Sequence, residues 1–387
     1  MQITDDTLSQ YLNLLVEELD VPKSYYDKAS ARHKSLGEWL HRKDSAVAQY
    51  DPDVRPQGSF RYGTVIKPIN PKDSYDLDNV CLLQKLGKSV LTQKSLKDLY
   101  GKEVVAYAIA NGMHAAPTEH NRCWRLNYAD EASFHLDTLP CVSEEGEFVR
   151  RLIQSGVNPE LAQRAIAITD RRHPRYSEIT LHWPSSNPRG FAKWFEGRAA
   201  LGRRRTGVLN QVRAAVEEVP PYEWKTTLQR SIQILKRHRD VMFRGNSELA
   251  PISMIITNLA AHAYNGEEDL VVALRNIVDG MPRFVQHSAP RIPNPANPAE
   301  DYAEKWSTNP LLEKSFREWL VAVRSDLNRF PRIINAAELR EATNSSFLIN
   351  LSQEDSQRFV PEPRVHIRSS APTIVAPTAS RPWGWNG

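Results

Sequence analysis

The stretch that decides the fold is 57-QGSFRYGTVIKPIN-70 followed by 75-YDLDNVCLL-83. The second part, Tyr75–Leu83, reads as a β-strand apart from its charges at Asp76 and Asp78. Side chains alternate faces along a strand, so these carboxylates point the same way. Like charges so close repel, and a cation makes the arrangement tolerable. Hard oxygen ligands suit magnesium. A bare DxD is more often a solvated turn, so the pair needs support from its surroundings.

Two neighbours supply it. Gly58-Ser59 sits where a turn runs into a short helix. A glycine lets backbone amides approach a phosphate closely, and a serine at a helix start adds a hydroxyl donor. Downstream, Ser133–Leu139 reads as another strand and carries Asp137. If that strand lies beside the first, Asp137 completes an acidic triad. Two metal ions held there can activate a 3′-hydroxyl, neutralise a triphosphate and steady the leaving pyrophosphate. The combination is much more specific than any of its parts.

Working outward, Leu8, Leu12, Leu15 and Leu19 mark a helix over residues 7–19, and a second covers 24–43 with Ser24 as its cap. Residues 95–112 read as a helix closed by Gly112, and Arg122–Tyr128 as a strand. From about residue 157 the pattern is mostly helical. The segments are Glu160–Thr169, Phe191–Ala200, Val208–Val219, Glu223–Asp240, Ile252–Tyr264 and Lys314–Arg329. The last stretch, SSAPTIVAPTASRPWGWNG, lacks periodicity and reads as a flexible tail.

Composition excludes several classes. Hydrophobic residues make up 41% of the 387, enough for a core. No run of about 18 apolar residues appears, so no membrane span is expected. The start, MQITDDTLSQYL, lacks the basic-then-apolar order of a signal peptide. Cys81, Cys123 and Cys141 are too scattered for a disulfide framework or zinc site, and read as thiols in a reducing cytoplasm. The net charge of +4 is too small to mark a nucleic-acid binder, but basic runs lie at 171–175, 198–205 and 230–239.

With these motifs in place, QGSFRYGTVIKPIN…YDLDNVCLL resembles the signature of DNA polymerase β-type nucleotidyltransferases. More narrowly, the chain resembles the bacterial cGAS/DncV-like nucleotidyltransferases (CD-NTases) of CBASS anti-phage systems. Further matches are WPSSNPRGFAKWF at 183–195, LQRSIQILKRHRD at 228–240, PISMIITNLAAHAY at 251–264 and NPANPAEDYAEKW at 294–306. The resemblance implies an α+β fold: a polymerase β-like core with a mixed sheet, a helical lobe, and an active site in the cleft between them. The expected divisions are N-terminal helices at 1–50 bracing both lobes, a core at 51–180, a helical lobe at 181–330 and a C-terminal segment at 331–387.

The resemblance also implies roles. Asp76, Asp78 and Asp137 are the expected catalytic residues and magnesium ligands, for two ions that manganese can replace. Gly58, Ser59, Lys236 and Ser253 are the expected contacts to a donor triphosphate. The expected activity joins ribonucleoside triphosphates, ATP among them, into a cyclic di- or trinucleotide that activates an antiviral effector, with no template. Gly387 is a candidate for conjugation by an E1/E2-like partner. Two alternatives stay open at this point: transfer to an RNA or protein acceptor, and a nucleotide-binding signalling scaffold. Asn187 reads as a base contact or a cap. Trp183, Trp194 and Phe195 read as a core cluster sooner than a stacking platform, and Arg203, Arg204 and Arg205 as a solvated loop.

Overall fold

The computed structural model describes residues 3–70, 73–128, 134–202 and 225–360. Helix α1, Asp5–Leu19, starts at Thr4, whose side chain accepts the Thr7 N–H. Asp5 and Asp6 occupy its first turn, where the helix dipole favours acid. Leu8, Leu12, Leu15 and Leu19 are all buried, as their spacing predicts. Helix α2, Lys23–His41, starts after Pro22 with no side-chain cap. Ser24 therefore lies inside the first turn and is not the cap; the fixed φ of proline sets the helix entry instead.

The strands are β1 Pro52–Gln57, β2 Tyr75–Leu83, β3 Thr118–Glu119, β4 Trp124–Tyr128, β5 Phe134–Ser143, β6 Ile166–Ile168 and β7 Ser185–Ser186. They form one sheet in the order β1-β2-β5-β4-β3, with β6 pairing β5 and β7 pairing β6. β2 and β5 run parallel and the other pairs antiparallel, which makes the sheet mixed. A parallel pair needs a crossover. Helix α4, Gln93–Ala110, supplies its main element, whereas the short α3, Gly58–Tyr62, joins β1 to β2. α4 ends at Ala110 with Asn111 as its cap, and Gly112, which the sequence marked as the cap, follows it in a left-handed conformation.

Alternation along the strands sorts the faces. Leu77, Cys81 and Leu83 of β2 share a buried cluster with Leu96, Tyr100, Val104 and Tyr107 of α4. Val80 and Leu82 turn the other way and pack with Leu139, Cys141, Ile166 and Ile168. Asp76 and Asp78 share the face of Val80 and Leu82.

The remaining helices are α5 Gly146–Gln154, α6 Pro159–Ala162, α7 Pro188–Ala199, α8 Thr227–Met242, α9 Ser253–Ala263, α10 Leu270–Gly280, α11 Pro310–Arg329, α12 Ala336–Phe347 and α13 Gln353–Phe359. α1 contributes to a second large cluster with α8, α9, α10 and α11, whereas α2 packs with the sheet cluster. One helix assignment fails. Glu160–Thr169 is the single turn α6 followed by β6. Asn158 caps the turn and Pro159 opens it, but Ile166-Ala167-Ile168 is buried on both faces and pairs with β5. Val208–Val219, Arg203, Arg204, Arg205 and Gly387 lie outside the described residues. No described helix is long and apolar enough to cross a membrane.

Candidate active site

Parallel pairing sets Asp78 opposite Asp137 and Asp76 opposite His135. The third aspartate therefore stands on the strand next to the DxD pair, on the same sheet face. On the other side of β2, Gln57 pairs with Asp78, so the chain leaves β1 and enters α3 beside that carboxylate. Gly58 sits at this corner with φ +69°, a left-handed conformation that suits glycine. A Cβ there would overlap Asp78 Oδ2 and lie 3.1 Å from its Cγ. The glycine thus answers to backbone geometry and to the carboxylate behind it, as well as to any phosphate in front.

The charges act on one another. Burial pushes the Asp78 carboxyl up to about 7, and the facing Asp137 and Asp76 add to the shift. Asp76 is also raised, chiefly by burial, with Arg125 opposing. Arg125 of β4 is opposite Asp137 in register and grips both its oxygens, Nε–Oδ1 at 2.6 Å and Nη2–Oδ2 at 2.8 Å. His135 and Asn127 complete a polar row on this face, 2.7 Å apart. Among the described residues, no three His, Cys, Asp or Glu side chains converge into a preformed metal cage. The donor set still fits a hard divalent cation. It is all carboxylate oxygen, and its mutual repulsion is what a cation relieves.

Arg125 is the site residue that sequence reasoning missed. In WRLNY, Leu126 and Tyr128 are buried, so Arg125 and Asn127 fall on the face of the aspartates. The signal was an arginine on the polar phase of a strand that could pair with the one carrying Asp137.

Helix α8 meets this site along one stripe. Gln229 donates to the Tyr62 carbonyl, Gln233 to Val65, Lys236 to Thr64 and Arg237 to Lys67, at 2.8, 2.8, 2.9 and 2.6 Å. These positions share one helix face. All four acceptors lie in the segment that follows the Gly58 corner. Lys236 is buried at 4% exposure, which pulls its ammonium down to about 7. Asp78 is close enough to oppose that shift. Ser253 opens α9 and accepts a 3.3 Å hydrogen bond from Arg239. The structure therefore brings Gly58, Ser59, Asp76, Asp78 and Asp137 together, sets Lys236 behind them, and joins Ser253 to Arg239.

The secondary candidates resolve as structural. Asn187 caps α7 by accepting the Gly190 N–H, and donates to the Leu161 and Ala296 carbonyls. Trp183 and Phe195 are buried, and Trp194 packs against the helical cluster. Cys81 and Cys141 are buried free thiols, and Cys123 is a half-buried one.

Comparison with known proteins agrees with this architecture. Residues 52–140 match the family described as cyclic GMP-AMP synthase DncV-like, nucleotidyltransferase domain. A c-di-GMP synthase of Roseivirga ehrenbergii is 30% identical over 318 residues, covering 81% of this chain and 75% of that protein. The cyclic dinucleotide synthase CdnG of Bradyrhizobium diazoefficiens is 24% identical over 345 residues, covering 83% and 76%. The structure of CdnG with GTP shares the fold, with a TM-score of 0.66 at 20% identity over 90% of this chain and 96% of that one. Escherichia coli DncV shares it at a TM-score of 0.59 and 16% identity, over 88% and 95%. On the 30% identity with the Roseivirga ehrenbergii synthase over 81% of this chain, the chain belongs to the DncV-like nucleotidyltransferases, the CD-NTases.

Proposed function

We propose that the chain joins two ribonucleoside triphosphates into a cyclic dinucleotide, and that GTP is among its substrates. The observation that carries this is the register of β2 against β5, which sets three aspartates on one face beside the Gly58 corner. Two similar proteins bear names of cyclic dinucleotide synthases, and one of them names c-di-GMP. They favour the dinucleotide over the trinucleotide that the sequence left open.

In this reading Asp76, Asp78 and Asp137 hold magnesium, or manganese in its place. The ions would supply charge neutralisation at the triphosphate and lower the pKa of the attacking hydroxyl. Asp137 lies nearest Arg125, which fixes its carboxylate plane and limits its rotation. The N–H groups at Gly58 and Ser59 and the Ser59 hydroxyl face the donor phosphates. Lys236 holds the Thr64 carbonyl and adds positive charge behind the site. Ser253 orients Arg239, the next cation along α8. The product activates an effector in anti-phage defence, and an E1/E2-like partner acts on Gly387.

The test is incubation of the purified chain with all four ribonucleoside triphosphates and magnesium. Products are identified by mass spectrometry after nuclease digestion. A cyclic dinucleotide containing guanine is expected from the parent and none from Asp76→Ala with Asp78→Ala. Product from the double variant, or activity only with an added RNA or protein acceptor, overturns the reading. Unchanged phage protection after deletion of Gly387 beside its partner overturns the last part alone.

A further inference from the structure

Helix α3 carries the Gly58 corner, and so short a helix is not stable by itself. Gln57, the residue before it, gives it no side-chain cap. Its position is therefore set by what its side chains meet. Phe60 is buried in the sheet cluster, where its ring lies 5.8 Å from that of Tyr26. Tyr62 is buried in the helical cluster instead, 5.2 Å from the ring of Phe191 and 5.5 Å from that of Phe195. α3 thus bridges the two cores, and Arg61 stands between its two anchors.

Arg61 pairs with Glu196 of α7, Nη2 to Oε1. The pair is largely shielded from water, with side chains 12% and 31% exposed. Its surroundings add weight to it. Arg61 lines a small cavity with Arg55, Arg164, Arg189 and Lys193, and Glu196 is the only carboxylate of that lining among the described residues. Removing the Glu196 charge leaves Arg61 facing cations. Breaking one partner of a shielded pair costs far more than breaking an exposed one. Glu196 also follows Phe195, so one turn of α7 supplies Tyr62 with a ring contact and Arg61 with its counter-charge. α7 is tied to the sheet at a second point, where Arg189 Nη1 lies 3.4 Å from Asp53 of β1. The helix advances roughly 10 Å from that tie to Glu196, and the tie involves no residue of α3.

We propose that Glu196 is a positioning residue for nucleotide joining: through Arg61 it fixes the turn of α3 on which Gly58 and Ser59 meet the donor phosphates. Ser59 and Arg61 belong to the same short helix, so a shift of the guanidinium carries the serine with it. The role of Gly58 and Ser59 rests on the proposed synthase reading; the contact of Glu196 with Arg61 does not. The pair lies outside the aspartate row. Its loss therefore weakens the hold on nucleotide in ground state and transition state alike, which raises KM and spares kcat.

Initial rates of cyclic dinucleotide formation from GTP with magnesium, measured on the full chain, test this in a double-mutant cycle. Glu196→Gln is isosteric and keeps the fold. It is expected to raise KM for GTP about tenfold, the effect of one charged hydrogen bond, with kcat within about threefold of the parent. Arg61→Gln should do the same, and the double variant no more than either, because the two residues act as one unit. Asp53→Asn, which breaks the other tie of α7, should leave KM within about twofold. Additive effects of the two single variants, or a parental KM in Glu196→Gln, overturn the proposal. An equal rise in Asp53→Asn also overturns it, since it marks a general loosening of α7. Calorimetric binding of a non-hydrolysable GTP analogue with magnesium reads the same cycle without turnover. A parent that makes no cyclic product, yet binds the analogue about tenfold better than Glu196→Gln does, keeps the positioning role and removes the synthase reading. A parent that binds no analogue at millimolar concentration removes both.

Discussion

Replacing Gly58 by alanine perturbs the backbone corner and the DxD carboxylate at once. The added Cβ overlaps Asp78 Oδ2 and stands 3.1 Å from Cγ and 3.3 Å from Cβ of the same side chain. Restoring ordinary contact moves the carboxylate by roughly 1 Å, a misplacement that costs on the order of 100-fold in rate when it falls on a catalytic group. The φ of +69° adds a backbone penalty of about 1–2 kcal/mol for any residue with a Cβ. That penalty is small for a chain of this size. Thermal denaturation should therefore shift by only a few degrees, while kcat for nucleotide joining falls about 100-fold with the melting transition still cooperative. Initial rates at saturating nucleotide and magnesium, beside a melting curve of the same preparation, give both numbers. A kcat within threefold of the parent refutes the argument that Asp78 depends on an empty volume at position 58.

Three further outcomes follow from particular contacts. Arg125→Gln releases both oxygens of Asp137, so the magnesium concentration for half-maximal rate should fall several-fold; a rise would mean that Arg125 helps the cation site instead of competing with it. His262 stacks on Phe284, packs at a tilt against Trp194, and is held down to about 4 by burial, with Arg198 adding to the shift. The unfolded imidazole titrates near 6.5, so the unfolded state takes up the proton first. Stability is then full above about pH 6.5 and drains away as pH falls toward 4, by about 2 kcal/mol after allowance for partial exposure. Denaturant melts at pH 7 and pH 4.5 measure this, and His262→Gln should flatten the difference. Gly101→Ala drives a methyl into the indole of Trp124, whose Nε1 also bonds the Lys97 carbonyl at 3.2 Å. A loss of about 1–3 kcal/mol is expected from such overpacking, read as a lower denaturation midpoint, and an unchanged midpoint would show that the ring moves freely.

The sequence was most legible where local chemistry and tertiary role agree. Tyr75–Leu83 is a strand at the bounds its pattern sets, because an apolar run that carries two carboxylates two residues apart is a local signal. The Gly58 turn was legible for the same reason, although its collision with Asp78 depends on a strand pairing that no single segment contains. β6 was lost because Ile166-Ala167-Ile168 is apolar on both faces, and a short apolar run does not tell strand from helix. α10 was passed over despite Asp269, which caps it by accepting the Val272 N–H. Arg125 was invisible for a different reason. Its meaning lies in the facing residue of the next strand, twelve positions away.

The stripe of α8 that meets the segment after Gly58 carries a consequence for length. Eight steps of helix, from Gln229 to Arg237, advance about 12 Å. The five steps from Tyr62 to Lys67 reach at most about 17 Å when extended. The two pieces of chain are thus of similar reach, and each donor of the stripe finds a carbonyl in that segment. An insertion or deletion of one residue between Tyr62 and Lys67 would break this phase, leaving donors buried against the wrong atoms. Point substitutions along that segment are therefore far better tolerated than changes in its length.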